Sequence, residues 1–478
     1  MRYSTFFLPA ALLAFALTAG AADVDSVAVR QNWPWSNAVK VHFTISGVTE
    51  PVDAAVSFSA NGQPLSIPDE AISGRRRCLV SDGTYVLTID PAKAFGAGRT
   101  AIGNFVADVT VDPSSAQNRE VLYKAFRLAD NTWTDITRGE ILNGEFGAFE
   151  TDYGRIGNGY TTTLENVCLW TGITNDTKWA TDYIVLRKIP AGNFTFNPTL
   201  QNNFYPADSN LSTITYDYWV GVFPMTQAQY QNIYADGNPK ATVWLGGTGG
   251  GYEWQFGNIH TNAFAPQGSL CTTQVTGNWK DWDRAHTVYT GNQCFFARLY
   301  TRSGFKFRCP STFEWMKAAR GGAPYRSYYY DGASLFRFTS STGIAFDEAG
   351  KTRDDYAVAL GRFNTNGDGT PAPVGSFRPN AYGLYDVIGN VCQPLEDTFR
   401  TDDATANAYI SPETMHGGLI TDFYGETGDY NKSVSGGWYG STPSGMVWNR
   451  QFQTHSGKRL EQIGLRICIS DEEFRAAE

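Results

Sequence analysis

The residues able to do redox, metal or nucleophilic chemistry are scattered along this sequence. None of its seven cysteines forms a C-x-x-C pair, which argues against a zinc knuckle or a thioredoxin-type redox pair. The five histidines are not spaced as a helical ligand set, and no G-x-S-x-G or H-E-x-x-H motif is present. Carboxylate pairs such as Asp354-Asp355 and Asp402-Asp403 are typical of solvated loops. These patterns do not indicate a hydrolase or a zinc enzyme.

Two phrases in the C-terminal half carry the most information. The first is FRCPSTFEWMKAARGG at 307–322, and the second is PNAYGLYDVIGNV at 379–391. Together they resemble the sulfatase-modifying-factor family, whose founding activity is that of the formylglycine-generating enzyme. The resemblance extends over about residues 181–470. It implies a domain that is a variant of the C-type-lectin fold.

The resemblance also implies an active site that this sequence lacks. Formylglycine-generating enzymes use a copper-bound pair of cysteines to oxidise a substrate cysteine with dioxygen. The matching stretch here, 435–450, contains no cysteine, and Ser441 and Met446 stand near the expected positions. A hydroxyl does not replace a thiolate as a ligand of Cu(I), and a thioether is a weaker, uncharged ligand. We therefore expect no copper and a catalytically degenerate domain, although Gly464-Leu465-Arg466 still resembles the family's closing Gly-Phe-Arg.

A degenerate domain would bind a ligand or serve as a surface or structural module. The aromatic rings and the cation of the loop where the active site would lie are candidates to contact a carbohydrate or a peptide. These residues are Trp438, Tyr439, Trp448 and Arg450. Core packing beneath the Gly436-Gly437 turn is the alternative explanation for the aromatic residues.

A rival interpretation is a metal-dependent oxidoreductase of the family with a relocated site. Four cysteines within the domain could converge on such a site, or two of them could form a structural disulfide instead. They are Cys294, Cys309, Cys392 and Cys468. Another branch of the family uses non-haem iron held by histidines of an added helical domain, whereas the N-terminal region here has the pattern of β-strands. A third alternative is a purely architectural envelope protein.

Family members often carry structural calcium between the two phrases, so the resemblance implies a calcium site here. The turn NTNGDG at 364–369 offers oxygen ligands of the kind that calcium prefers. It is not an EF-hand, since its twelfth position is Gly375. The family's acidic ligand is replaced by Gln393, which should weaken binding. Ordinary Asn/Gly turns are the alternative to the candidate ligands Asn364, Asn366, Asp368 and Asn390.

Three helices are predicted around these phrases. The first spans 226–235, and the second covers Gln293 to Arg302 within 283–302, with Phe296 and Leu299 on its apolar face. The third spans 311–320, because Ser311 and Glu314 form a capping box and Gly321 supplies a C-terminal stop.

The rest of the chain is predicted to be mostly β-structure, which makes the fold class α+β. Residues 1–21 read as a signal peptide, with Arg2 followed by an apolar run and a small-residue cleavage site. In 23–113, alternating apolar residues and turn dipeptides predict an immunoglobulin-like β-sandwich. A β-rich connecting extension at 114–180 then leads to the sulfatase-modifying-factor-like domain at 181–470.

The net charge and the hydropathy of the sequence limit the kinds of partner that we expect. The net charge of -9 and the isoelectric point near 5.2 argue against a nucleic-acid ligand, which needs clustered Lys and Arg. Beyond the signal peptide, no stretch is long and apolar enough to cross a membrane. We expect an exported protein that is periplasmic, at the cell surface or extracellular.

Overall fold

The fold is described by a computed structural model, whose described residues fall into two compact units. One lies within residues 1–120 and 138–145, and the other within 121–137 and 146–478. The described residues are 22–31, 33–96, 98, 102–144, 146, 148–149, 170–196, 210–234, 295–319, 321, 327–330, 335–340, 343–346, 361–367, 371–380, 382–396, 420–422, 431–432, 434–440, 454–455 and 464–476.

The N-terminal unit is built from two antiparallel sheets. One sheet has the strand order β1-β2-β6-β5 and the other β4-β3-β7. Short helices α1 (Pro91–Phe95), α2 (Ala116–Arg119) and α3 (Arg138–Leu142) and a 3-10 turn at Asp69–Ala71 complete the unit. The strands are β1 (Asp23–Gln31), β2 (Val39–Ser46), β3 (Val52–Ala60), β4 (Gln63–Leu65), β5 (Ile72–Ser73), β6 (Gly83–Ile89) and β7 (Phe105–Pro113).

The predicted alternation of apolar residues forms the core of this unit. Val41, Phe43 and Ile45 of β2 are fully buried, and they share one apolar cluster with residues of both sheets, including Phe58 and Leu87. Successive side chains of a strand point to opposite faces, so one face of each strand supplies the core.

The predicted Asn61-Gly62 turn is present between β3 and β4. Both residues have positive φ, 50° and 76°, as a two-residue hairpin turn with the twist of the flanking strands requires.

The second unit is mixed α/β, with mostly sheets and few helices among the described residues. Its main sheet is antiparallel with the order β24-β15-β12-β8-β9, and β8 and β9 come from the stretch assigned to the connecting extension. The strands are β8 (Val121–Arg127), β9 (Thr132–Thr137), β10 (Ala148–Phe149), β11 (Trp170–Thr171), β12 (Tyr183–Ile189), β13 (Gly192–Phe196), β14 (Asn210–Ile214), β15 (Tyr218–Gly221), β16 (Ser327–Tyr330), β17 (Leu335–Ser340), β18 (Gly343–Phe346), β19 (Gln393–Pro394), β20 (Ile420–Thr421), β21 (Asn431–Lys432), β22 (Val434–Ser435), β23 (Thr454–His455) and β24 (Cys468–Ser470).

The described helices of this unit agree with the helices that the sequence predicts. The helices are α4 (Thr177–Thr181), α5 (Gln227–Tyr234), α6 (Phe295–Ser303), α7 (Thr312–Ala319) and α8 (Asp471–Arg475). Helices α5 and α7 match the predictions for 226–235 and 311–320, while the part of the second prediction before residue 295 lies outside the described residues. The capping box is confirmed, because the Ser311 amide donates to Glu314 (2.8 Å) and the Glu314 amide donates to Ser311 Oγ (3.2 Å). Gly321 follows α7 with φ 62°.

Helices α5 and α6 bring their apolar residues to the main sheet. Ile233, Phe296 and Leu299 share a buried cluster with Leu186 of β12 and Trp219 of β15. Phe307 and Cys309, at the start of the first phrase, belong to the same cluster, so this packing places the start of the first phrase against the sheet.

Lys317 fastens α7 to the turn between β12 and β13. Its ammonium donates to the carbonyls of Pro190 (2.5 Å) and Gly192 (2.9 Å), and the residue is only 3% exposed. Burial lowers the pKa of Lys317 to about 8, although Asp217 and Asp422 act to raise it. The amine therefore gives up its proton more readily in the folded protein than in the unfolded chain.

This titration predicts a pH-dependent stability. Between about pH 8 and 10.5 the unfolded chain holds a proton that the folded protein has released, so the contribution of Lys317 to the free energy of unfolding rises with pH. We expect the unfolding free energy of wild type, measured relative to that of Lys317→Met, to increase as the pH rises from 7.5 to 10. Lys317→Arg should also lack this slope, because arginine does not titrate there. Parallel curves for wild type and both variants, measured by urea denaturation, would contradict the assignment.

Candidate functional site

The loop that begins at residue 434 is joined to the second phrase by backbone hydrogen bonds. Strand β22 pairs with β19, the Gly389 amide donates to the Gly436 carbonyl (2.6 Å), and the Tyr439 amide donates to the Asn390 carbonyl (2.9 Å). Gly436 has φ 99°, and a Cβ there would lie 2.9 Å from the Val387 carbonyl oxygen. Only glycine fits this turn, so the loop approaches the phrase closely.

Arg466 lies at the centre of this region and is fully buried. Its Nη1 donates to the carbonyls of Gly221 (2.6 Å) and Val222 (3.1 Å), and its Nη2 donates to those of Tyr385 (2.6 Å) and Asp386 (3.1 Å). With Nε bonded to Gln393 Oε1 (2.7 Å), each guanidinium nitrogen is used. Burial lowers the pKa of Arg466 to about 9 against the opposing effect of Asp386, so the group stays charged at neutral pH.

Gln393 is the amide that joins the two phrases. Its Oε1 accepts hydrogen bonds from Arg466 and from the indole of Trp315 (2.8 Å), while its Nε2 donates to the Asp386 carbonyl (2.8 Å). A carboxylate in this position would place an oxygen against that carbonyl in place of the donor. The amide of Gln393 therefore fits this network better than a carboxylate would.

Asp386 is buried beside this network. Its Oδ2 accepts a hydrogen bond from the Gly375 amide (2.7 Å). Burial raises the pKa of Asp386 to about 6, while the Gly375 amide, Arg466 and Asn390 act to lower it. The charge of this carboxylate opposes the lowering of the Arg466 pKa.

A second buried charge cluster surrounds the first phrase, and sequence reasoning missed it. Arg308 binds Glu314 in a bidentate pair (Nη1–Oε2 2.6 Å, Nη2–Oε1 2.7 Å), and its Nη1 also contacts Glu396 Oε2 at 3.2 Å. Burial acts to lower the pKa of Arg308, but Cys468, Glu314 and Glu396 raise it well above its ordinary value. The Tyr216 hydroxyl donates to Glu314 (2.9 Å), so the phenol also supports this carboxylate.

The described ligand candidates lie at the start of the loop. Tyr439 is only 4% exposed, whereas Trp438 is half-buried, and their rings meet edge to face at 5.0 Å. A Cβ at Gly440 would lie 2.2 Å from the Trp438 ring, so this ring folds over the glycine. Trp448 and Arg450 lie outside the described residues, as do Ser441 and Met446. Among the described residues of this loop, Trp438 is therefore the aromatic side chain that is accessible to a ligand.

Comparison with known proteins identifies the family. The family model for the sulfatase-modifying factor enzyme 1-like domain matches residues 174–471, which is more than half of the chain. This chain belongs to the sulfatase-modifying factor enzyme 1-like family.

Individual relatives are more distant. The formylglycine-generating enzyme of Streptomyces coelicolor is 36% identical over 108 residues, a match that spans 22% of this chain and only 30% of that enzyme. Treponema denticola variable protein 1 is 16% identical with a TM-score of 0.39, over 60% of this chain and 95% of that chain. PvdO from Pseudomonas aeruginosa is 18% identical with a TM-score of 0.37, over 60% of this chain and 94% of that chain.

The cysteines of this family member are placed as buried thiols wherever the structure describes them. Cys78, Cys309, Cys392 and Cys468 are buried, and Cys294 lies outside the described residues. Burial raises the pKa of the Cys392 thiol to about 12, so it is protonated at neutral pH. Cys468 Sγ lies 3.9 Å from Glu314 Oε2. These sites are buried, whereas reactive thiolates need an accessible setting.

Two of the candidate calcium ligands form hydrogen bonds with backbone groups. Asn390 accepts from the Ala372 amide (2.9 Å) and donates to its carbonyl (3.2 Å), while Asn366 accepts from the Phe363 amide (2.7 Å) and donates to the Gly361 carbonyl (2.9 Å). Asn364 is exposed, and Asp368 lies outside the described residues. The amide oxygens of Asn366 and Asn390 each accept a hydrogen bond from a backbone N–H. Calcium binding at the four candidate residues stays a prediction.

The described part of the chain contains no cluster of three or more His, Cys, Asp or Glu side chains that could hold a metal ion. No helix in the described ranges is long and apolar enough to span a membrane.

Arg466 provides a test of the buried network. Arg466→Met would remove the guanidinium donors that bind four backbone carbonyls and Gln393 Oε1, so we expect the free energy of unfolding to fall by about 3–5 kcal/mol. Arg475→Met is the matched control, because Arg475 is 69% exposed and its pair with Asp471 spans one turn of α8. Its loss should cost at most about 1 kcal/mol. Equal effects of the two substitutions in chemical denaturation would contradict this role of Arg466.

Proposed function

We propose that this protein is an exported member of the family whose domain binds a ligand and does not carry out formylglycine-type oxidation. The observation that carries the proposal is the loop at 435–450, which has Ser441 and Met446 near the places of the copper-binding cysteines. The surrounding scaffold supports it, because the bonds from Gly436 and Tyr439 to the second phrase keep the start of the loop in position. The fold would thus be retained without the metal chemistry.

The alternative of a relocated oxidase site is less favoured. Such a site needs two accessible thiolates for Cu(I), and the described cysteines of the domain are buried, with a pKa of about 12 at Cys392.

We infer that the ligand contacts the loop at Trp438. A half-buried indole supported from beneath by Tyr439 is a rigid apolar platform with a polar N–H, suited to the face of a sugar ring or to a peptide side chain. The sequence places Trp448 and Arg450 in the same loop, where they would extend this surface.

The finer architecture that we propose agrees with a binding role. In the N-terminal unit, two antiparallel sheets of four and three strands share one core, which supports an immunoglobulin-like sandwich. A C-type-lectin-like arrangement is proposed for the family domain, whose described part combines a central antiparallel sheet with few helices and long loops. Both folds commonly present ligand-binding loops on a stable scaffold.

Export is proposed from the apolar N-terminal segment 1–21, and structural calcium from the Asn364, Asn366, Asp368 and Asn390 set. Calcium would stiffen the region between the two phrases, whereas copper has no place in the proposal.

The absence of oxidase activity is directly testable. We expect wild-type protein, incubated with Cu(I), dioxygen and a peptide bearing the sulfatase cysteine motif, to form no aldehyde above a copper-only control, because 435–450 supplies no thiolate pair. Mass spectrometry of the peptide measures the product, and an authentic formylglycine-generating enzyme is the positive control. Aldehyde formation that disappears in a Cys392→Ser or Cys468→Ser variant would establish a relocated site and refute the proposal.

Ligand binding at Trp438 is tested separately on glycan and peptide arrays. We expect a ligand of wild-type protein to bind at least about tenfold more weakly to Trp438→Ala, since an aromatic platform contributes of the order of 1–2 kcal/mol. Gly440→Ala should weaken binding as well, because its Cβ would displace the Trp438 ring. Tyr300→Ala, at an exposed aromatic residue of α6, is the matched control. Unchanged binding in both loop variants would place the ligand elsewhere.

A further inference from the structure

The hairpin that joins β1 and β2 exposes two large aromatic side chains. Trp33 is 60% exposed and Trp35 is 85% exposed, in a short turn within the N-terminal unit. Tryptophan is highly buried on average, and two exposed indoles only two residues apart supply the apolar surface that binding sites use. Nothing in the proposed role of Trp438 accounts for this pair.

The same hairpin carries a second unfavourable feature. Arg30 of β1 and Lys40 of β2 are directly opposite each other in the strand register, and both are exposed. Like charges in opposite positions of an antiparallel pair repel each other. Neither cation forms an ion pair with any residue that the structure describes. An anionic ligand would relieve this repulsion.

The two features are close enough for one ligand. Arg30 and Trp33 are three residues apart, which is at most about 10 Å along an extended chain. The turn is also held in shape, because Gln31 donates to the Asn37 carbonyl (2.9 Å) and the Ala38 amide donates to Ser36 Oγ (3.2 Å). A fixed turn presents the indoles with little entropy left to lose on binding.

We propose that this hairpin binds an anionic polysaccharide. The apolar faces of sugar rings would stack on Trp33 and Trp35, while the acidic groups of the chain pair with Arg30 and Lys40. An anionic bilayer surface also takes tryptophan together with basic residues. The groups beside the indoles, Gln31, Ser36 and Asn37, are amides and a hydroxyl, and they favour a hydroxyl-rich ligand over lipid chains.

The acidic group can be a carboxylate or a sulfate, and two probe pairs distinguish them. The full-length protein is titrated with polygalacturonate and with its fully methyl-esterified form, and with dextran sulfate and neutral dextran, by calorimetry at low and high salt. We expect binding to at least one anionic polymer, at least tenfold weaker binding to its neutral partner, and loss of affinity at high salt.

Variants connect the binding to the hairpin. Trp33→Ala/Trp35→Ala and Arg30→Gln/Lys40→Gln should each weaken binding at least tenfold. Val80→Ser, at an apolar residue of the same unit that is 69% exposed, should leave it unchanged. Thermal unfolding checks that each variant is folded, and the Arg30/Lys40 variant should unfold no earlier than wild type because the repulsion is removed.

The proposal is overturned if wild type binds neither anionic polymer, if it binds the neutral partners equally well, or if the hairpin variants do not alter binding. Binding to phosphatidylglycerol vesicles in place of the polymers, lost in the tryptophan variant, would identify the hairpin as a lipid contact and also overturn it. Loss of binding in Trp438→Ala alone would assign the polymer to the family domain and leave the hairpin proposal refuted.

Discussion

The burial of the Arg466 guanidinium is the constraint on which the site region depends. A cation withdrawn from water must have its donors satisfied, and here four backbone carbonyls and one side-chain amide provide the acceptors. These acceptors belong to three separate segments: the end of β15, residues 385–386 of the second phrase, and Gln393. Each segment must hold its carbonyls in place for the charge to be tolerated. The network therefore specifies one arrangement of the chain around this residue.

This arrangement also explains how family structure and family chemistry can be separated. The hydrogen bonds that position the loop start come from backbone groups at Gly389, Asn390, Gly436 and Tyr439. Ser441 and Met446, near the positions that copper chemistry would need, come after this anchored segment. Substitutions at these two positions do not remove the backbone hydrogen bonds of the anchored part. The absence of a copper site that we propose is therefore compatible with a retained scaffold.

Local signals in the sequence predicted local structure well. The capping box of Ser311 and Glu314 involves residues three apart, and the structure shows both of its hydrogen bonds. The alternation in β2 and the Asn61-Gly62 turn were equally readable. Thr226 and Gln229 form a second reciprocal cap before α5, which the same pattern could have identified.

The candidate site was less predictable because its interactions join distant parts of the chain. The amide of Gln393 bridges Trp315 and Arg466 over 78 and 73 residues, which its interpretation as a weakened cation ligand did not predict. Glu396 reaches Arg308 over 88 residues, and no spacing rule relates such positions. Asn390 stays among the predicted calcium ligands, and its amide also forms two hydrogen bonds with the backbone of Ala372, 18 residues away. Each case is a polar group whose partner is set by tertiary structure.

The position of β24 in the main sheet has a consequence for the order of folding. This strand pairs with β15, from which it is separated by almost 250 residues, and Arg466 comes just before it. During synthesis, β15 gains this neighbour only after the residues around 468 have emerged from the ribosome. Such a distant pairing closes a very long loop and is intrinsically slow to form. The main sheet of the second unit therefore lacks this edge strand until the residues near 468 have been made, whereas the N-terminal unit, which has its own core, does not depend on them.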